Sequence, residues 1–145
     1  MPNRSYARCV QCGCTDHRAC VGPSGPCHWL KVDYALGIGV CSECQAALDR
    51  WPQAVADRKA ALDRYETAYR NAHATLKVGD RVRLTACPGT KRWIHFAGWD
   101  GKWIMSRSGR ADYSAVGIDR VNGEAVDFTM TPGAANSGPT SGPQR

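Results

Sequence analysis

Long apolar runs are missing from this 145-residue chain. No stretch approaches the ~18 apolar residues that a membrane-spanning helix needs, so no span is expected. The chain opens without a positively charged segment followed by an apolar run, so a secretory signal is not expected and the reading is a cytoplasmic protein. Catalytic signatures are missing as well. There is no nucleophile elbow, phosphate loop or His-Glu-x-x-His, and His17, His28, His73 and His95 form no recognisable pair with a nucleophile. No histidine–asparagine–histidine pattern follows the cysteines, which argues against a zinc-knuckle nuclease. A non-enzyme is therefore expected. Cysteine is scarce over the last two thirds of the chain, where only Cys87 occurs, and that residue reads as a loop or core thiol.

The other seven of eight cysteines lie between positions 9 and 44. In a reducing compartment such clustering points to metal rather than to disulfides. The spacing is Cys9-x2-Cys12-x-Cys14-x5-Cys20-x6-Cys27-x13-Cys41-x2-Cys44. A Cys-x2-Cys presents two thiolates on one tight turn, and two such knuckles close a tetrahedral four-thiolate site, so Cys9, Cys12, Cys41 and Cys44 are expected to hold Zn²⁺. Gly13 suits the tight turn of the first knuckle, and Ser42 is placed to cap the following helix. Cys14, Cys20 and Cys27 are one ligand short of a second site. His17 or His28 can complete it, a thiolate shared between two ions can do so, or the three can remain free thiols. One or two zinc ions are therefore expected. Both sites would be closed to water, which points to structural metal.

The pattern CVQCGCTDHRAC, followed by CHW and CSEC, resembles a motif of small Cys-rich proteins encoded by phages and prophages, mostly uncharacterised. The resemblance rests on Cys9, Cys12, Gly13, Cys14, Thr15, Ala19, Cys20, Cys27, Trp29, Cys41, Ser42 and Cys44, and covers about a third of the chain. It implies a zinc-binding fold and a phage-like origin, hence action in a bacterial host cytoplasm, and it implies no activity. Histidine is not part of the pattern, which favours a shared thiolate over His17. The stretches VGPSGP and KVDYALGIGV read as loops without evident function.

Four segments follow from composition: a Cys-rich module at 1–44, a helix at 45–76, short strands at 77–131, and a Pro/Gly/Ser tail at 132–145 expected to be disordered. Leu48, Trp51, Val55, Leu62, Tyr65, Tyr69, Ala72 and Leu76 recur at helical spacing, with Arg58 in the one missing place. Pro52 predicts a break, with a short helix near Ser42–Arg50 and a new start at the proline. The stripe fits packing within the chain and also a homodimer through residues 48–76. Turn signals at Asp100-Gly101, Ser108-Gly109 and Asn122-Gly123 separate short strands, predicting a small SH3-like barrel and an α+β chain overall.

The formal net charge of +6 divides as +1 over 1–44, +1 over 45–76, +3 over 77–131 and +1 in the tail. Four thiolates on one Zn²⁺ carry a net charge of about −2, so the cationic surface must lie downstream of the cysteines. Arg81, Arg83, Lys91, Arg92, Lys102, Arg107 and Arg110 are interleaved there with Trp93, His95, Trp99, Trp103 and Tyr113. Alternation predicts Ile94 and Phe96 inside, Trp93 and His95 outside, and Val78, Val82 and Leu84 on one face with Arg81 and Arg83 on the other. Cations beside aromatics suit nucleic acid, with Arg81, Arg83, Lys91, Arg92, Trp93, Lys102, Arg107 and Arg110 as contact residues. The same mixture suits docking on a host protein, such as RNA polymerase or a defence complex like a CRISPR effector.

Overall fold

The computed structural model describes residues 6–87, 90–110 and 113–131, with Ala86, Cys87, Thr90 and Arg110 described in their backbone alone. The tail at 132–145 and the Cys87 thiol lie outside the described residues. The chain is α+β and divides after Asp63 into two compact units. No described helix is long and apolar enough to cross a membrane.

In the first unit, β1 (Arg8–Cys9) runs parallel to β5 (Ile38–Cys41), and β5 pairs antiparallel with β4 (Trp29–Asp33), giving the order β1-β5-β4. The stretch read as a featureless loop, KVDYALGIGV, is the β4–β5 hairpin that carries Cys41. Asp33 Oδ1 accepts the Leu36 amide at 2.9 Å across its turn, and Gly37 supplies a φ of +67 that a side chain would oppose. The VGPSGP stretch is also built: β2 (Val21–Gly22) and β3 (Gly25–Pro26) form a small hairpin whose base is closed by the Cys27 amide donating to the Cys20 carbonyl at 2.8 Å. That hairpin brings Cys20 and Cys27 together. The buried cluster of this unit is Cys9, Cys14, Val40, Cys41, Cys44 and Ala47, with Cys20, Cys27, Trp29, Leu48 and Trp51 packed on it. Four of its six buried members are cysteines, so the unit has almost no apolar core of its own.

After Cys41 the chain makes 3-10 turns over Ser42–Arg50, with Cys44 out of helical geometry, and then the helix α1 (Trp51–Thr75). Pro52 falls in the first turn of α1, where its missing N–H has no partner to lose. Ser42 does not cap: its hydroxyl accepts the His28 amide at 3.3 Å while its own amide donates to the His28 carbonyl at 2.8 Å, stitching the second knuckle to the start of β4. Arg58 is no defect in the helical stripe, because its Nε donates to the Leu36 carbonyl at 2.9 Å.

In the second unit, β6 (Arg81–Cys87), β7 (Thr90–Asp100), β8 (Trp103–Ser106), β9 (Gly109–Arg110), β10 (Ile118–Val121) and β11 (Glu124–Ala125) form an antiparallel sheet in the order β11-β10-β6-β7-β8-β9. The expected SH3-like barrel is not closed: among the described residues no pair joins β9 to β11, and each of these strands is only two residues long. Val82, Leu84, Ile94, Phe96, Ile104 and Ile118 are buried with Ala68, Ala72 and Leu76 from the helical side. Trp99 packs there too, edge-on to Tyr69 at 5.1 Å and to Phe96 at 5.3 Å. Val78 departs from its expected face and is exposed, because it lies before β6 in the turn that leaves the helix. The turns follow the sequence chemistry. Val121 pairs with Glu124 around Asn122 (φ 52) and Gly123 (φ 93), the two positive φ angles of a type I′ turn. Asp100 pairs with Trp103, so Gly101 (φ 59) and Lys102 are central, one residue later than the Asp-Gly signal suggests.

Candidate metal centre and basic sheet face

The first knuckle is a backbone structure before it is a thiol pair. The Cys9 amide donates to the Cys14 carbonyl at 2.8 Å, the Gly13 amide returns to the Cys9 carbonyl at 3.0 Å, and Gly13 adopts φ +76. This curl gathers Cys9, Cys12 and Cys14. Cys41 ends β5 and Cys44 follows in the first 3-10 turn, while the β2–β3 hairpin delivers Cys20 and Cys27. Two groups result whose Sγ atoms all lie within 4.8 Å of one another: Cys9, Cys12, Cys14 and Cys41, and Cys14, Cys20, Cys27 and Cys41. Cys12 and Cys41 approach to 3.7 Å, Cys20 and Cys41 to 3.7 Å, and Cys14 and Cys27 to 3.6 Å. The expected quartet of Cys9, Cys12, Cys41 and Cys44 is not one of these close groups, which hold Cys14 in place of Cys44; the Cys44 thiol neighbours those of Cys12, Cys41 and Cys9. Such groups can hold a metal ion.

The thiols compete for charge. Burial opposes the Cys12 thiolate but is outweighed by the Cys14 amide and the thiols of Cys14, Cys44 and Cys9, so its pKa falls to about 6. Cys9 and Cys27 are also lowered: burial again opposes the charge, and it is overcome at Cys9 chiefly by the Cys12 amide and at Cys27 chiefly by the Cys20 thiol. Cys14, Cys41 and Cys44 are pushed up, first by burial and then by neighbouring thiols, and Cys20 rises to about 12, chiefly through Cys27. Seven crowded sulfurs cannot all ionise on their own, and a divalent cation removes that conflict.

His17 belongs to neither thiol group; its ring lies edge-on to Tyr6 at 6.0 Å. Asp16, beside it, is the residue that sequence reasoning missed. Its carboxylate accepts the Trp29 indole N–H at 2.8 Å, the Ala7 amide at 2.8 Å and the Tyr34 hydroxyl at 2.9 Å. The indole, then the amide, hold its pKa below the usual carboxylate range. Asp16 thus fixes Trp29 against Gly39, beside the strand that ends in Cys41. The only hint in the sequence is one Asp just after the first knuckle and one Trp just after Cys27, which is too common a combination to single out.

The expected contact residues of the second unit separate. Cross-strand pairs share a face, and Arg81 pairs with His95, Arg83 with Trp93, and Thr85 with Lys91. Ile94 and Phe96 are buried and Trp93 and His95 are exposed, as alternation requires. The Arg81 guanidinium lies over the Trp93 ring at 4.6 Å and that of Arg83 at 5.8 Å. Arg83 is tied to Asp119, with its Nε to Oδ1 at 2.8 Å and its second nitrogen to Oδ2 at 2.5 Å. Arg120 joins this face unexpectedly. The register shift between Ile118 and Arg120 leaves Asp119 as the extra residue, so Ile118 sits opposite buried Leu84 while Arg120 sits opposite Arg83. Simple alternation would have put Arg120 inward, and only the bulge reverses that. Arg92 pairs with Leu84 and so projects to the other side of the sheet. Lys102 is engaged elsewhere, in an ion pair with Glu66 and over the Tyr69 ring at 5.7 Å. Arg107 is exposed in the β8–β9 turn, and the Arg110 side chain lies outside the described residues.

No model of a known protein family, no curated protein and no solved structure matches this chain.

Proposed function

We propose that this chain is a zinc-stabilised, phage-type accessory protein that binds single-stranded nucleic acid through the exposed face of its basic sheet. The observation that carries the reading is the stack of Arg81 on Trp93, flanked by Arg83, Lys91 and Arg120 on one sheet face. The guanidinium covers the indole and leaves its own outer plane for a base, while the neighbouring cations track phosphates.

Zinc is the metal we assign. Zn–S bonds of ~2.3 Å put the sulfurs of a tetrahedron ~3.8 Å apart. The contacts of 3.6–3.7 Å support that fit. The succession of knuckle, hairpin, second knuckle and helix supports a treble-clef or ribbon-like reading of the module. With every position filled by thiolate, the metal holds the fold and performs no chemistry. The cysteine motif supports a phage origin and action in the host cytoplasm.

The test is fluorescence anisotropy with labelled single-stranded RNA and DNA and with duplex. Three phosphate contacts lower single-strand affinity by about 20-fold between ~50 and ~200 mM salt. Trp93→Ala should weaken binding by about 5-fold or more, since stacking is worth ~1–3 kcal/mol per base. No binding to any probe at ~50 mM salt, a concentration at which phosphate contacts are strong, would sink the reading. A nuclease-insensitive pull-down that recovers one host protein in near-stoichiometric amount would replace it with the adaptor reading.

A further inference from the structure

Six of the seven sulfurs fall into two overlapping close groups that share Cys14 and Cys41. Cys44 lies in neither close group, but its thiol neighbours those of Cys12, Cys41 and Cys9, which makes it the candidate fourth ligand beside them. Cys14, Cys20 and Cys27 then remain, joined by the Cys14–Cys27 contact at 3.6 Å and by the main-chain bond from Cys27 to Cys20. Three thiolates leave a four-coordinate ion one ligand short. The fourth sulfur within reach of all three is Cys41, which completes a group lying wholly within 4.8 Å and touches Cys20 at 3.7 Å. Cys41 also touches Cys12 of the first set at 3.7 Å.

We infer that the module holds two divalent soft-metal ions and that the thiolate of Cys41 bridges them, with Cys9, Cys12 and Cys44 completing one tetrahedron and Cys14, Cys20 and Cys27 the other. Cys14 is the other residue common to both close groups. Cys44 neighbours Cys41, so an ion held by Cys9, Cys12 and Cys44 takes Cys41 as its fourth thiolate, and sharing Cys14 as well would make that ion five-coordinate, against the four-coordination that structural zinc keeps. Position supports the same choice. Cys41 is fully buried at the end of β5, the central strand of the module, and the Glu43 amide points at its sulfur. An N–H donor at a bridging sulfur helps carry its charge and fixes its orientation. Seven thiolates and two divalent ions leave a cluster charge of about −3, so the module is acidic when loaded and any anionic ligand must meet the other unit.

This inference rests on reading the cysteine cluster as a metal site, and the experiment separates the two. Full-length protein is loaded with ¹¹³Cd²⁺ alone, counted by native mass spectrometry, and examined by ¹H–¹¹³Cd correlation. The expected result is two ions per chain and two cadmium resonances in the range of four-sulfur coordination. The β-protons of Cys41 couple to both resonances, and those of the other six cysteines couple to one each. The wild-type chain is measured, so no variant has to fold. One ion per chain, Cys41 coupled to a single cadmium, or a His17 or His28 ring coupled to the second cadmium would each overturn the bridge while leaving a metal site in place. A chain that takes up no cadmium or zinc would overturn the metal reading itself. Cys20→Ser supplies a second arm: under chelator challenge it should retain one ion where the wild type retains two, and equal retention would count against the second site.

Discussion

Gly39 lies in the middle of β5 with ordinary extended backbone, so an alanine there meets no conformational penalty. Space is the obstacle. A Cβ on Gly39 would stand 2.8 Å from Cε3 and Cζ3 of the Trp29 ring and 3.0 Å from the Lys31 carbonyl oxygen. None of these atoms is the free end of a flexible chain. The indole is held by its 2.8 Å bond to Asp16, and the Lys31 carbonyl belongs to the strand paired with β5. Relief requires either that the ring swing out, losing the Asp16 bond, or that the β4–β5 ladder spread. Overpacking of this kind costs about 2 kcal/mol. On the reading of the cysteine cluster as a metal site, a module with few buried apolar residues folds and binds its metal in one equilibrium. The cost should therefore appear as a drop in metal affinity of about 30-fold, given ~1.4 kcal/mol per decade. Competition between Gly39→Ala and a chromophoric zinc chelator reads this directly. The Trp29→Ala background sharpens the test: without the ring only the Lys31 contact remains, so Gly39→Ala should cost much less there than in the wild type, with a coupling of about 1 kcal/mol or more. Affinity within twofold of wild type, or equal costs in both backgrounds, would refute the steric argument.

Chelating the metal should unfold the first unit alone: amide resonances of Val40 and Cys41 collapse, while those of Val82, Ile94 and Ile104, in a separate apolar core, persist; survival of both sets would refute a metal-held module. Asn122→Ala removes a residue with φ 52 whose Oδ1 accepts the Arg81 amide at 2.9 Å and whose Nδ2 donates to Asp80 at 3.0 Å. We expect a loss of about 2 kcal/mol, from strain and two unmade hydrogen bonds, measured by denaturant titration, with Asn122→Gly recovering part of it. Acid should destabilise the second unit through Asp119 and Asp80, whose carboxyls are held below the usual range, chiefly by Arg83 and by the Lys77 amide respectively. A lowered folded pKa gives stability that is present in full above the unfolded value of ~3.9 and is lost as pH falls through the folded value. Asp119→Asn should flatten that loss in melts taken below ~pH 4, where the unfolded carboxyl is protonated, and an unchanged pH profile would contradict it.

Much of the local chemistry was legible from residues alone, because it depends on neighbours in the chain. The Cys-x2-Cys spacing, the Asn122-Gly123 turn, the break at Pro52 and the inward Ile94 and Phe96 all express backbone geometry over a few residues. What the chain could not declare is which distant groups share a point in space. The route of Cys20 and Cys27 into the cluster depends on the β2–β3 hairpin, and the reach of Cys41 into both thiol groups depends on how β5 lies between β1 and β4. Asp16 became the anchor of Trp29 only when β4 folded back on the first knuckle. The bulge at Asp119, set by pairing with β6, turned Arg120 to the outer face and gave Arg83 its partner. In the same way the strand order left the sheet unclosed among the described residues, where turn signals alone suggested a barrel. The sequence by itself determined that the cysteines cluster at one end and that most of the cations lie downstream; register and topology, which balance long-range hydrogen bonds against the volume of the side chains between them, decided which sulfurs meet and which cations stand together.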